Sequence, residues 1–102
     1  RGPPEIDEAA RTKCLTPEAA PRLTALHELL ADAPEWTAET LEQRVRTFIE
    51  QHELRMKQVA QPARVALTGR TWSPGLFEVM AVLGRQRVLQ RLKRGAELAR
   101  GG

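Results

Sequence analysis

Several residue types are scarce in this 102-residue chain, and each shortage narrows what the protein can be. Its single cysteine, Cys14, cannot form an internal disulfide, and no group of Cys and His residues has the spacing of metal ligands. This cysteine usage fits a reducing compartment, so we expect a cytoplasmic protein. Two Phe, two Trp and no Tyr leave the packing of the core to Leu, Val and Ala. No run of the roughly 20 apolar residues needed to span a bilayer occurs, and no signal peptide is visible, so we expect no membrane partner.

The length bounds the domain organisation. A chain of 102 residues is long enough for one compact domain and too short for two of ordinary size. The hydrophobic content of 41% is sufficient for a core. The chain begins with Arg1 rather than Met, which indicates a fragment or a processed product. We therefore expect residues 1–102 to form a single domain.

The charge is distributed unevenly along the chain. The formal net charge is only +3, but residues 1–53 contain six Lys/Arg and eleven Asp/Glu, whereas residues 54–102 contain ten Lys/Arg and two Asp/Glu. A basic half beside an acidic half favours a directed anionic partner. Solvated helix faces would give the same composition, so charge alone leaves both interpretations open.

The hydrophobic pattern predicts helices throughout and shows no strand-like alternation. The clearest helix follows the capping residue Thr37, where Leu41, Val45, Phe48 and Ile49 repeat at helical spacing. The sequence therefore predicts an all-α fold, a compact cluster or cage of five to six short helices.

Prolines indicate where the first helices begin. Pro3-Pro4 precedes the acidic segment Glu5–Ala10, which suits the positive end of a helix dipole. Thr16-Pro17 predicts the next start, with Thr16 as the capping hydroxyl. Because Pro21 lies inside this second segment, we expect its regular helix to begin nearer Ala20.

A fourth helix is predicted from Val59 to Leu67, preceded by an irregular polar segment at residues 51–58. Pro62 is tolerable only near the first turn of that helix. Gly69 follows as a C-terminal cap, since glycine adopts the left-handed conformation without steric cost. Ser73-Pro74 is expected to open the fifth helix.

The connection between these two helices has the features of a binding surface. Arg70 is expected to be exposed, and Arg64 lies late enough on the preceding helix to share the surface. The guanidinium group of an arginine can contact a base edge or stack on an unpaired base. The backbone N–H groups of Gly75 and Leu76 can attract phosphate at the start of the fifth helix. Trp72 either stacks on a base or packs as a hydrophobic staple, and both roles stay open.

The sixth predicted helix has a basic outer face. It would supply sequence-independent attraction for phosphates, or else be an ordinary solvated surface. Its buried positions recur at helical spacing between the basic ones. The outward cations are Arg87, Arg91, Lys93 and Arg94.

The sequence gives little support for catalysis. His27 and His52 fall on separate helices, and the capping position of Ser73 explains the only serine. Cys14 is interpreted as a small apolar packing residue rather than a reactive thiol. No glycine-rich phosphate loop occurs, so we expect no catalytic residue, metal or cofactor in this chain.

Four stretches of the second half resemble the C-terminal anticodon-binding domain of bacterial glutamyl-tRNA synthetases. They are residues 59–70 (Val-Ala-Gln-Pro-Ala-Arg-Val-Ala-Leu-Thr-Gly-Arg), 73–78 (Ser-Pro-Gly-Leu-Phe-Glu), 83–85 (Leu-Gly-Arg) and 88–92 (Val-Leu-Gln-Arg-Leu). Lys57-Gln58 stands where the family usually has Gly-Lys, so the start of the fourth helix can differ.

The resemblance implies a helical cage that recognises the anticodon loop as part of a class I aminoacyl-tRNA synthetase. By its motifs, the residues that contact anticodon bases are Arg64, Ser73, Pro74 and Leu76. The implied partner is tRNA(Glu), with tRNA(Gln) as an alternative, and not DNA.

The resemblance also implies that ATP with magnesium serves a catalytic domain elsewhere in the parent enzyme. The His-x-Gly-His and Lys-Met-Ser-Lys-Ser signatures of that catalytic domain do not occur in this chain. Two other hypotheses stay open at this point. One is a helical interaction module whose basic half binds an acidic protein, and the other is a small enzyme, for which the sequence offers no candidate residues.

Overall fold

The structure, a computed structural model, describes residues 6–71 and 75–101. Helices and their connections account for these residues, among which no strand occurs. The expected all-α single domain is confirmed. Its helices are α1 (Glu8–Cys14), α2 (Ala19–Ala31), α3 (Ala38–Gln51), α4 (Met56–Thr68), α5 (Leu76–Leu83) and α6 (Arg85–Ala99).

The first helix begins at a carboxylate cap. Asp7 accepts a hydrogen bond from the Ala10 N–H through Oδ2 at 3.0 Å and is the N-cap of α1, while Glu8 provides the acidic residue of the first turn, as expected. The prediction for Pro3-Pro4 lies outside the described residues. The second helix begins close to the predicted residue, but its N-cap is Glu18 rather than Thr16, because a separate turn precedes it.

The third helix begins as predicted, whereas the fourth is longer than predicted. Thr37 Oγ1 accepts a hydrogen bond from the Thr40 N–H at 3.2 Å and caps α3. In α4 the Arg55 N–H donates to Gln58 Oε1 at 2.8 Å, and this bond fixes a helix start three residues before Val59. Pro62 consequently lies within the helix rather than in its first turn, and the expected irregular segment is limited to the short α3–α4 connection.

The core lies between α2, α4 and α6, which pack on one another; α1 covers α4, while α3 packs against α2 and α5. Among the described residues no polar or charged side chain is buried. The largest fully buried side chains are aliphatic, as the scarcity of aromatics predicts. They are Leu23, Leu26, Leu30, Leu41, Val45, Val59, Val65, Leu67, Met80, Val88 and Leu92.

A tryptophan joins the α2–α3 connection to the last two helices. The indole N–H of Trp36 donates to the Met80 carbonyl at 2.8 Å, and the ring packs against the core. The guanidinium of Arg85 lies 5.4 Å from the centre of that ring and donates to the Ala33 carbonyl at 2.7 Å. These contacts hold α5 and α6 against the α2–α3 connection. Of the helices in the described ranges, none combines the length and the apolar character needed to cross a bilayer.

Candidate nucleic-acid interface

The C-terminal end of α4 is closed by a glycine cap. Gly69 has the left-handed conformation (φ 80°), and its N–H donates to the Val65 carbonyl at 2.7 Å. The predicted cap is therefore confirmed. The carbonyl of the same glycine accepts a hydrogen bond from the Asp7 N–H at 2.8 Å, so the start of α1 is attached to this helix end.

A threonine fixes the backbone on either side of that cap. The hydroxyl of Thr68 donates to the Arg64 carbonyl at 2.8 Å and accepts from the Arg70 N–H at 3.2 Å. Arg70 is exposed, as predicted. A fixed backbone lowers the entropy that an exposed arginine segment loses when it binds a ligand.

Arg64 lies on the last turns of α4, at the margin between core and solvent. Its neighbours Ala63 and Val65 are fully buried, whereas Arg64 itself is half-buried. Arg64 is thus partly accessible to solvent at the same helix end as Arg70. This placement is compatible with a binding role for Arg64.

The α5 side of the connection (residues 69–75) is described only in part. Trp72, Ser73 and Pro74 lie outside the described residues, so their predicted roles remain predictions. Gly75 is exposed and is the N-cap of α5. Leu76 is only 5% exposed and belongs to the core. If Leu76 contacts a nucleotide, it must do so chiefly through its backbone N–H at the start of the helix.

The sequence did not reveal one structural contact at this surface. Nη1 of Arg91, on α6, donates to the Leu67 carbonyl at 2.9 Å and caps the last turn of α4. Burial lowers the pKa of the Arg91 guanidinium, and the charges of Arg87 and Arg94 lower it further. Arg91 is thus half-buried rather than wholly on the solvated face as predicted. The contact spans 24 residues of sequence, so no local pattern indicates it.

The cysteine and the acidic groups show no arrangement for chemistry. Cys14 is buried, as expected, and its burial raises the pKa of its thiol. Within residues 6–71 and 75–101 no three His, Cys, Asp or Glu side chains are grouped as they would be to hold a metal ion. What this surface offers is exposed Arg70, the half-buried arginines Arg64 and Arg91, and a fixed backbone, which suit an anionic ligand.

The fold and this surface together define a small helical domain that presents a basic helix end. The chain belongs to the anticodon binding domain family, whose family model matches residues 1–96. This confirms the family that the sequence motifs suggested.

Curated relatives are glutamate–tRNA ligases. The chain is 42% identical over 99 residues to glutamate–tRNA ligase 1 of Syntrophus aciditrophicus (strain SB), covering 97% of this chain and 21% of the relative. It is 50% identical over 90 residues to the glutamate–tRNA ligase of Rhodopseudomonas palustris (strain BisB5), covering 88% of this chain and 19% of the relative. The chain therefore spans about a fifth of the length of the relatives it matches.

A solved structure has the same arrangement of helices. The crystal structure of a glutamate tRNA ligase from Elizabethkingia meningosepticum CCUG26117, in complex with its amino acid, matches with a TM-score of 0.87 at 26% identity. The match covers 95% of this chain and 19% of that one. The helical cage is thus similar to one part of a much longer ligase.

Proposed function

We propose that this chain recognises the anticodon loop of tRNA(Glu) as the C-terminal, non-catalytic domain of a cytoplasmic glutamate–tRNA ligase. The observation that carries the proposal is the basic end of α4, where half-buried Arg64 and exposed Arg70 flank a glycine-capped, hydrogen-bonded turn. Family membership and the relatives' names support the choice of RNA partner. They do not favour the alternative of a module that binds an acidic protein.

Arg64 is the residue proposed to provide base specificity. The fork of donors on a guanidinium can bind two acceptors on one base edge, which a point charge cannot do. Single-stranded loops expose those edges, whereas the deep, narrow major groove of an A-form stem does not. In this proposal Arg64 contacts an unstacked anticodon base, while Arg70 contacts the adjacent backbone.

The residues on the α5 side are proposed to complete the contact. Ser73 and Pro74 would form the corner against which a base packs, and the N–H groups of Gly75 and Leu76 would donate to a phosphate. Trp72 would stack on a base or cover α5. These assignments rest on the motif and on the short connection in sequence between Gly69, which caps α4, and Gly75, the N-cap of α5.

The whole protein is proposed to attach glutamate to tRNA(Glu) with ATP and magnesium, which would act in a catalytic part outside this chain. Within this chain the role is binding. Recognition of the anticodon would increase the fraction of bound tRNA whose acceptor end lies in the distant catalytic site.

The test is Arg64→Ala in the full-length protein, titrated with a tRNA(Glu) transcript and with a transcript whose anticodon is exchanged. We expect a loss of about 1–3 kcal/mol on the cognate transcript, the cost of one specific base contact, and a smaller loss on the exchanged one. Arg100→Ala is the matched control, since it removes an exposed arginine whose guanidinium donates to the Thr24 hydroxyl at 3.1 Å, away from the end of α4. Its affinity should be nearly unchanged.

Two outcomes would contradict the proposal. An unchanged affinity of the Arg64 variant would show that Arg64 does not contact the tRNA. An equal loss of affinity for both transcripts would show that Arg64 contributes only a positive charge and does not recognise the anticodon. Titration of the unaltered protein with a tRNA(Gln) transcript, in parallel, tests whether the domain also accepts that tRNA.

A further inference from the structure

Three arginines of α6 form one stripe beside the end of α4. Arg87, Arg91 and Arg94 are separated by four and three residues, which places them within about 60° of arc on a helix of 3.6 residues per turn. Lys93 and Arg100 lie more than about 120° from the centre of this arginine stripe. The basic face expected from sequence is therefore two separate groups of cations on opposite flanks of the buried face.

The arginine stripe is continuous with the basic end of α4. Its middle member, Arg91, donates a hydrogen bond of 2.9 Å to the carbonyl of Leu67, and Leu67 directly precedes Thr68 at the end of α4. A closely packed contact on the same flank, Gly95 against Ala66, holds α6 against α4 here. The arginine stripe thus lies beside the C-terminal end of α4, from which Arg70 follows directly.

Positive charge predominates on α4 and α6 here, although Asp7, whose N–H donates to the Gly69 carbonyl, adds an acidic side chain at the end of α4. No Asp or Glu occurs in α4, or in α6 before Glu97. Burial lowers the pKa of Arg91, and the nearby charges of Arg87 and Arg94 lower it further. Like charges held together on one helix face destabilise the helix. A nearby polyanion would offset that repulsion.

We propose that the arginine stripe binds the phosphodiester backbone of the RNA whose anticodon contacts Arg64, independently of its sequence. The proposal rests on the proposed function for the identity of the ligand as RNA. Arg91 holds the stripe against α4 through its bond to Leu67, while Arg87 and Arg94 contact phosphates. Binding of each phosphate releases condensed counterions, so the contribution of the stripe must depend on salt concentration.

The experiment compares salt dependence in two double variants of the full-length protein. Arg87→Gln/Arg94→Gln removes two stripe charges and retains the Arg91 cap. Lys93→Gln/Arg100→Gln removes the same net charge from the same helix but from the other flank. The tRNA(Glu) affinity of each is measured from low to high salt, with thermal unfolding as the check that both are folded.

Each phosphate contact on single-stranded RNA contributes about 0.7 to the magnitude of the slope of log K against log salt concentration. The stripe variant loses two such contacts, so the magnitude of its slope should be lower by about 1.4. At 0.15 M salt this corresponds to about a tenfold loss of affinity. The loss should be the same for cognate and anticodon-exchanged transcripts, because phosphates carry no base identity. The control variant should keep the slope of the unaltered protein.

The outcomes separate this proposal from the proposed function. Equal slopes for the stripe variant and the control would overturn the stripe while leaving anticodon recognition by Arg64 intact. Conversely, a lowered slope with no anticodon discrimination would retain a backbone-binding stripe and reject specific recognition. Should the double variant unfold, the single exposed substitution Arg87→Gln must lower the slope by about 0.7, or the proposal is wrong.

Discussion

The packing of α4 on α6 can be tested at Gly95, where the two helices lie close together. A Cβ atom added at Gly95 would lie 2.6 Å from the Cβ of Ala66 and 3.4 Å from Cδ1 of Leu23. Carbon atoms pack favourably at about 3.5–4.0 Å, so Gly95→Ala requires the helices to separate by about 1 Å. Because the Ala66 methyl group has no side-chain torsion that could move it aside, the backbone must shift.

The expected magnitude follows from two opposing effects. Overpacking costs about 1–3 kcal/mol, and the rigid neighbour places this site near the upper end. Replacing glycine by alanine inside a helix increases the free energy of unfolding by about 1 kcal/mol, because alanine has the higher helix propensity. We therefore expect Gly95→Ala to lower the free energy of unfolding by about 2 kcal/mol, and Tm by roughly 10 °C for a domain of this size.

The assay is urea unfolding of Gly95→Ala, Ala66→Gly and the double variant. In the double variant the methyl group lost at Ala66 makes room for the one gained at Gly95, so the two changes should couple favourably by about 2 kcal/mol. A Gly95→Ala protein as stable as the unaltered one would refute the close approach. Simple additivity in the double variant would show that the loss arises elsewhere than at Ala66.

Two further predictions concern α1. Burial raises the pKa of the Cys14 thiol, so the unfolded chain releases the thiol proton at lower pH than the folded chain does. The contribution of this thiol to the free energy of unfolding should therefore be complete below the ordinary thiol pKa and should fall as pH rises through that range. Urea unfolding measured against pH should show this part of the decline in the unaltered protein and not in Cys14→Ala. Asp7→Ala removes the cap of α1 and should cost about 0.5–2 kcal/mol by urea unfolding, whereas Asp7→Asn, which still accepts a hydrogen bond from Ala10, should cost much less. Equal losses of unfolding free energy in the two Asp7 variants would show that the negative charge of Asp7, and not its hydrogen bond to Ala10, stabilises α1.

Local features of the sequence predicted most of the helices correctly. Thr37 caps α3 and Gly69 ends α4 because both act through their own backbone and the nearest turn. The prediction was wrong where a local rule was outweighed. Pro62 suggested a helix start at Val59, but α4 begins at Met56, where the Gln58 side chain satisfies the Arg55 N–H and half-buried Met56 packs against the core. Tertiary burial of this segment outweighs the cost of an internal proline.

The sequence also indicated the candidate surface, through the turn and basic residues between α4 and α5, but it could not place every side chain. Leu76 illustrates the difference, since its motif predicts a nucleotide contact, whereas the apolar spacing of Leu76, Phe77, Met80 and Leu83 predicts a buried side chain, and the structure confirms the burial of Leu76. A motif identifies which residues occur near a ligand, whereas packing decides which atoms remain exposed to it.

By itself, the sequence determined the helix pattern, the capped end of α4 and the abundance of arginine in the second half. Only the tertiary structure decided what individual arginines do. Arg44 donates to the Leu29 carbonyl, Arg85 to that of Ala33 and Arg91 to that of Leu67, across 15, 52 and 24 residues of sequence. Carbonyl groups at the ends of helices lack partners within the helix, and whichever guanidinium the fold brings nearby satisfies them. The arginines that the fold leaves on the surface, such as Arg70 and Arg87, are those available to a ligand.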